Sequence, residues 1–408
     1  MLVERALDSD EVVQAFRPAP TGGPKGSHYL CLAVGKAARG MAEAAARRLG
    51  PRIRDGLIIT TEAGDGPFPV MAGSHPVPTA DSAAAGRAAL RLARSAAADE
   101  TLIVLLSGGA SALMAVPIDS LSLADKARTT EVLLQNGASI AELNCVRKHL
   151  SAIKGGRLAA ATVARTVTLA ISDVVGDDLT VIGSGPTVAD TSTYGAALRA
   201  LDEHGGRDRF PSAVVSRLVA GTRGELPETP KSIGRSGSMA RVIGSRHEAM
   251  AGAAQEARAR GYSVRVLEAA VVGEARTAAE RSVATAAEAA GDVPVCVISS
   301  GETTVNVKGP GRGGRNQEFA LACVEAMSRF TPAAALASVG TDGVDGPTDA
   351  AGAVVDSSTL QRAAAAALAT ARYLENNDAY AFFAALGDLI QTGPTGTNVG
   401  DLQIILLA

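Results

Sequence analysis

The sequence predicts an α/β protein of two domains, on three observations. Short apolar, β-branched-rich runs alternate with alanine-rich stretches of helical spacing, the pattern of strand and helix units in mostly parallel sheets. Run after run ends in a polar or small-residue cluster: Lys36, Ser107 to Ser111, Asp173, Glu302 and Asp342. In parallel sheets such ends converge along one edge, and ligands bind beyond that edge. Apolar periodicity lapses over residues 221–238, where proline, glycine, serine and mixed charge take over, so the division is expected there, between domains of residues 1–235 and 236–408. Two such edges facing across a hinge would make a cleft.

Residues 28–34, HYLCLAV, read as a buried strand that turns at Gly35-Lys36 into a helix over 37–49. The turn lacks the upstream glycine and the following hydroxyl of a P-loop, so that motif is rejected. Lys36 still lies just past a strand's carboxyl end, either as a ligand-facing lysine or as a surface residue of the helix start. A strand over 57–61 precedes the loop GSHPVPT at 73–79, which carries His75, and a helix over 80–97. The strand at 102–106 delivers Ser107, Gly108, Gly109, Ala110 and Ser111, whose N–H groups suit an anion-binding nest or a helix cap. Helices over 122–136 and 140–153 follow. The second carries Asn144, Arg147, Lys148 and His149, a polar density that reads as a solvated face. The strand at 166–171 ends in Ser172-Asp173, with Asp177 and Asp178 beyond. Clustered aspartates after a strand suit a magnesium ion that also touches phosphates, and caps or turns would use the same residues.

Past the division come a strand at 241–244, a helix at 248–260, a strand at 262–267 and a helix at 274–290. The densest stretch is 297–327, VISSGETTVNVKGPGRGGRNQEFALACVEAM, read as a strand over 295–298, another over 303–307, a glycine-rich loop and a helix from 316. Gly309, Gly311, Gly313 and Gly314 let N–H groups approach a ligand, and the helix start adds positive potential for an anion; an ordinary glycine-rich hairpin is the alternative. Arg312 and Arg315 supply forked donors for phosphate or carboxylate. Glu302, at the end of a buried strand, needs a partner or a chemical task. A strand at 334–339 leads to a loop with Asp342, Asp345 and Asp349 that does not meet the EF-hand pattern. Helices at 359–373 and 380–386, a loop at 392–398 and a strand at 403–407 complete the chain.

A formal net charge of -3 argues against nucleic acid and membrane surfaces as partners. Cys31, Cys145, Cys296 and Cys323 are scattered with no paired spacing, so they read as reduced core thiols of a cytoplasmic protein. The amphipathic N-terminus lacks the apolar stretch of a signal peptide, and no run approaches a membrane span. A monomer or homodimer is expected.

The runs VGKAARGMAEAA, GSHPVPTADS, LLSGGASALM, ELNCVRKHLSAIKGGRLA, ISDVVGDDLTVIGSGPT, ISSGETTVNVKGPGRGGRNQEFALA, SVGTDGVDGPTDAAGA and TGPTGTNVGDLQI together resemble the glycerate 2-kinase family, whose members have often been labelled hydroxypyruvate reductases. The resemblance covers nearly the whole chain in order. It implies ATP-dependent phosphorylation of D-glycerate at the 2-hydroxyl, with magnesium, in a cleft between a Rossmann-like domain and a smaller α/β domain. It further implies that Lys36 and Arg315 are the basic residues facing each other there. One departure is Ser245-Arg246, where the family's pattern has an asparagine near the helix start.

Phosphoryl transfer asks a protein to position two substrates and neutralise charge. On this reading Lys36 and Arg315 bind the γ-phosphoryl group or the glycerate carboxylate, and the nest of Ser107, Gly108, Gly109 and Ser111 cradles phosphate, as do Gly311, Gly313 and Gly314. Asp173 and Asp177 hold magnesium, and Glu302 or Asp173 orients the hydroxyl. The rival is an NAD(P)H-dependent hydroxypyruvate reductase. Gly309 to Gly314 satisfies G-x-G-x-x-G, but Pro310 and Arg312 lie inside the turn, no acid ends a second strand about 20 residues on, and no histidine has an evident acid partner. A non-catalytic acid-binding sensor is the third reading; Lys36 and the aspartate cluster argue against it.

Overall fold

The structure is a computed structural model and describes residues 1–15, 28–119, 121–233, 237–289, 294–330 and 333–408. The chain divides into two compact units, Met1–Ile243 and Gly244–Ala408. The expected boundary between residues 235 and 236 lies outside the described residues.

In the first unit Leu2–Leu7 (α1) and Asp10–Ala15 (α2) lead to Tyr29–Val34 (β1), Ala38–Leu49 (α3), Ile53–Thr60 (β2), Val70–Ala72 (β3) and Ala80–Ser95 (α4). Thr101–Leu106 (β4), Ala110–Leu113 (α5), Leu123–Gln135 (α6), Ile140–His149 (α7), Arg157–Ala160 (α8) and Arg165–Ile171 (β5) follow, then Tyr194–Glu203 (α9), Ser212–Thr222 (α10) and Met239–Gly244 (β6). The sheet runs β3-β2-β1-β4-β5-β6, and the pairings among β1 to β5 are parallel. This is the order of dinucleotide-binding folds: succession reverses between β1 and β4, and ligands bind beyond the strand ends at that switch point. β1 and β4 are buried along their whole length, as a parallel sheet covered on both faces requires. Leu30, Leu32 and Leu102 share a core with Ala85, Ala89 and Ala93 of α4. The helices α9 and α10 carried no expectation from the sequence; with α6 and α7 they form a layer around Leu133, Val146, Tyr194, Leu201 and Leu218. β6 was expected beyond the division, but it pairs with β5 as an edge strand of the first sheet. Its short apolar run says nothing about which sheet it joins.

The second unit contains Arg246–Ala259 (α11), Ser263–Val266 (β7), Val271–Glu274 (β8), Ala275–Ala287 (α12), Val295–Thr304 (β9), Arg315–Met327 (α13) and Ala334–Gly340 (β10). Gly352–Asp356 (β11), Thr359–Ala365 (α14), Thr370–Glu375 (α15), Ala379–Leu386 (α16), Leu389–Ile390 (β12) and Asp401–Leu407 (β13) complete it. The sheet order is β12-β11-β10-β13-β9-β7, with β8 also on β9. This sheet is mixed rather than mostly parallel: β13 lies antiparallel to both β9 and β10, β11 pairs antiparallel with β10 and β12, and β7 and β8 are parallel to β9. The reason is connectivity, since a turn-rich loop rather than a helix joins β10 to β11 and so returns the chain antiparallel. Because β13 opposes both neighbours, β9 and β10 still point the same way, and their carboxyl ends share an edge with the start of β13. Val295 and Val297 face the core under α12 and α13, while Cys296 and Ile298 face Met250, Ala254 and Ala257 of α11. β9 is one ten-residue strand rather than the expected two, because β7 pairs its first half and β8 its second. The helix expected over 359–373 is two, parted where Ala367 takes a φ of 57°.

Candidate active site

At the switch point of the first sheet, the turns after β1 and β4 lock into each other. The Lys36 amide donates to the Gly108 carbonyl at 2.9 Å, and the Ala37 amide donates to the Ser107 hydroxyl at 3.0 Å. Gly35 has a φ of 127°, and a Cβ there would overlap the Ser107 hydroxyl, so this turn requires glycine. Gly108 has the same kind of intimacy with Asp173, whose carboxylate occupies the space a Cβ would fill. The His75 ring packs against Gly109. Burial lowers the His75 pKa, the charge of Lys36 lowers it further, and Asp173 opposes both. The structure therefore gathers Lys36, Ser107, Gly108, Gly109, Asp173 and His75 beyond the ends of β1, β4 and β5. Ser111, on α5, meets the Ser184 hydroxyl at 3.0 Å and accepts from the Lys154 ammonium through its carbonyl, at 2.6 Å, and through its hydroxyl.

Asp177 sits four residues past Asp173 in a left-handed turn, with its amide on the Val174 carbonyl. The donor chemistry here is hard oxygen, with Asp173 at a strand end and no cysteine or cluster of histidines beside it, which fits magnesium and not zinc. Among the described residues the group of three acids or histidines close enough to share an ion is Glu142, Glu203 and His204, away from the strand ends.

The shared edge of β9, β10 and β13 is built around Arg315, the first residue of α13. A cation there opposes the helix dipole, and carboxylates offset it. Nε lies 2.6 Å from Asp401 Oδ2, Nη2 lies 3.0 Å from Asp401 Oδ1, and Nη1 lies 2.9 Å from Glu302 Oε1. Burial works against the guanidinium's charge, yet hydrogen bonding to Asp401 and the charges of Asp401, Glu302 and Asp345 raise its pKa above the ordinary value. Asp401 is fully buried, whereas Glu302, expected in a buried setting, is 48% exposed.

Several amides of the glycine-rich loop are taken up within the second unit. The Gly311 amide donates to the Asn376 carbonyl at 2.9 Å, and the Lys308 and Gly309 amides converge on Asn377 Oδ1. Gly311 and Gly314 leave room for Asn376 and Asp345, respectively. The start of α13 is also occupied: Asp345 accepts from the Asn316 and Gln317 amides at 3.0 and 2.9 Å. Burial pushes the Asp345 carboxyl up to about 6, against the pull of those hydrogen bonds. Arg312 lies over the Tyr380 ring and donates to the Pro347 carbonyl.

Sequence reasoning did not single out Asp401 and named Asp345 only as one of three loop carboxylates, since neither acid has a local signature of its distant partner. It also misplaced α7. Asn144, Lys148 and His149 are buried, with Lys148 on Asp190 at 3.1 Å and His149 on Glu228 at 3.1 Å. His204 likewise pairs with Glu142. These acid partners, absent from the sequence reading, belong to the helical layer and not to the strand ends.

Cations, carboxylates and a small-residue turn at the strand ends of open α/β sheets define an enzyme that handles anionic small molecules. Residues 2–219 match a domain of unknown function (DUF4147), and residues 295–401 match the MOFRL family. The chain is 40% identical to a D-glycerate 2-kinase of Thermotoga maritima, over 93% of this chain and 90% of that protein. It is 38% identical to a putative hydroxypyruvate reductase of Agrobacterium vitis, over 94% and 88%. A crystal structure of a glycerate kinase from Thermotoga maritima superposes with a TM-score of 0.87 at 37% identity, covering 100% of this chain and 95% of that one. The chain belongs to the glycerate 2-kinase family.

Proposed function

We propose that this chain transfers the γ-phosphoryl group of ATP to the 2-hydroxyl of D-glycerate, giving 2-phosphoglycerate and ADP. The hydroxyl oxygen forms the new bond to phosphorus, the bond from the γ-phosphorus to its bridging oxygen breaks, and the hydroxyl proton passes to a carboxylate. The observation that carries the reading is the switch point of a dinucleotide-type sheet, flanked by Lys36 on one side and by Ser107, Gly108, Gly109 and Ser111 on the other. Lys36 and Arg315 supply positive charge for the transferring group or the glycerate carboxylate. Asp173 and Asp177 are the residues that would hold magnesium, which would neutralise phosphate charge when bound. Asp173 or Glu302 orients the hydroxyl and takes its proton. Gly313 and Gly314 remain assigned to phosphate contact, and Gly311 joins them only if its amide is released from Asn376.

The reductase reading lacks its site. Gly309 to Gly314 precedes α13 in the mixed sheet, whereas a dinucleotide fingerprint belongs to the first strand–helix turn of the Rossmann-type sheet, which here is Gly35-Lys36. Among the described residues no helix is long and apolar enough to cross a membrane. The four cysteines are free and buried, which supports the cytoplasmic location proposed for the enzyme, and a monomer or homodimer remains the proposed assembly. The test is the reaction: ATP, D-glycerate and magnesium should yield 2-phosphoglycerate, read through enolase without phosphoglycerate mutase. A signal only after mutase is added means 3-phosphorylation. Oxidation of NADH or NADPH by hydroxypyruvate with no ATP turnover overturns the reading.

A further inference from the structure

Three cations of the first unit, Lys126, Arg147 and Lys154, lie in one another's electrostatic field, and none of them pairs with an acid among the described residues. Lys126 on α6 is 8% exposed, and its ammonium has no hydrogen-bond partner among the described residues. Lys154, five residues past α7, is 3% exposed and, among the described residues, donates to the carbonyl and hydroxyl of Ser111 alone. Arg147, on α7, is partly buried, and among the described residues none of the three forms an ion pair. Burial pushes the Lys126 pKa down to about 8, with Arg147 adding to the effect. Lys154 is pushed well below the lysine range by burial and then by Lys126 and Arg147.

Buried charge without a counter-charge is among the costliest arrangements a fold can hold. Nearby, Lys148 pairs with Asp190 and Arg217 with Asp119, while Arg157 on α8 shares the condition of Lys126, with Nε and Nη2 buried and without a hydrogen-bond partner among the described residues. Of the three, Lys154 reaches the switch point by direct contact and Arg147 stands beside the chain of contacts that leads from it. Lys154 holds Ser111, Ser111 meets Ser184, and the Ser184 hydroxyl donates to Asn144 at 3.2 Å, one helical turn from Arg147 on the same face.

We propose that Lys126, Arg147 and Lys154, with Ser111 and Ser184, form a site for the phosphate oxygens of the nucleotide beside the turn that follows β4. Three positive charges match a multiply charged phosphate tail better than a single carboxylate. The assignment of the anion to a nucleotide rests on the phosphotransfer reading above.

The test compares Lys126→Met, Arg147→Gln and Lys154→Met with the wild type. Calorimetric titrations use ADP, inorganic tripolyphosphate and D-glycerate separately, and each ligand-free protein is also melted. ADP and tripolyphosphate should bind at least tenfold more weakly to each variant, with glycerate affinity unchanged. The ligand-free Tm of Lys126→Met should hold or rise, because an apolar chain of similar length replaces an unpaired ammonium. Unchanged affinity for both phosphate ligands in the variants that fold overturns the site. Weakened glycerate binding alone also overturns it, by giving the cations to the carboxylate. Wild-type turnover is assayed alongside: if it fails while tripolyphosphate binding still depends on these cations, the phosphate site stands and the kinase reading falls.

Discussion

The Arg315 guanidinium grips Asp401 with two prongs, Nε at 2.6 Å and Nη2 at 3.0 Å, at the point where β13 enters between β9 and β10. Because Asp401 is fully buried, Arg315→Ala strands its charge. The variant should lose about 3 kcal/mol of stability and on the order of 10² in kcat. Arg315→Lys retains the charge without the fork, so it should recover part of the stability while kcat stays low. Chemical denaturation and steady-state kinetics separate the two effects. Near-native turnover in either variant removes Arg315 from the catalytic set.

Gly108 tests Asp173 without touching it. Alanine fits the backbone there, but its Cβ would displace the Asp173 carboxylate. Gly108→Ala should therefore depress kcat by at least about tenfold while the Tm moves by only a few degrees. Lys36→Ala, at the same turn, should lose on the order of 10² in kcat with its backbone bond to Gly108 intact. Full activity in Gly108→Ala would show that the position of Asp173 does not matter.

Asp345 makes a pH prediction. Its carboxyl is pushed up to about 6 from an ordinary 3.8, so the folded chain holds this proton more tightly than the unfolded one. Its contribution to stability is complete below about pH 4 and fades as pH rises through about 6. Asp345→Asn keeps an oxygen for the α13 amides but does not titrate. The stability of wild type relative to this variant should fall by about 2 to 3 kcal/mol between pH 4 and pH 7. A difference that stays flat across that range, by urea titration, contradicts the raised value.

Oxygen donors at Asp173 and Asp177 predict that EDTA abolishes turnover, that magnesium restores it and that zinc does not. Asp177→Asn should raise the magnesium concentration needed for half-maximal rate several-fold. Undiminished activity in metal-free buffer would refute the assignment.

Local pattern made much of this molecule legible. Apolar runs marked β1, β4 and β5, because strands buried on both faces take few polar residues, and β10 was marked by a run that buries only every second residue. The residues that follow them, Lys36, Ser107 to Ser111 and Asp173, were placed at a ligand-binding edge by the parallel-sheet rule alone. Chain order could not place β13, since antiparallel insertion between β9 and β10 depends on pairings far apart in sequence; Arg315 and Asp401 are separated by 86 positions. Nor could the glycines after β9 declare what they face, because a missing Cβ serves a close-packed backbone as well as it serves a phosphate. Helix α7 was read as solvated from its polar composition, yet it packs with α6, α9 and α10 and buries Asn144, Lys148 and His149. The sequence by itself determined which side chains stand at strand ends, through periodicities of two and 3.6 residues that act locally. Only the tertiary structure decided which side chains are buried and which acids and cations pair, because burial and pairing are set by segments that meet only when the chain folds.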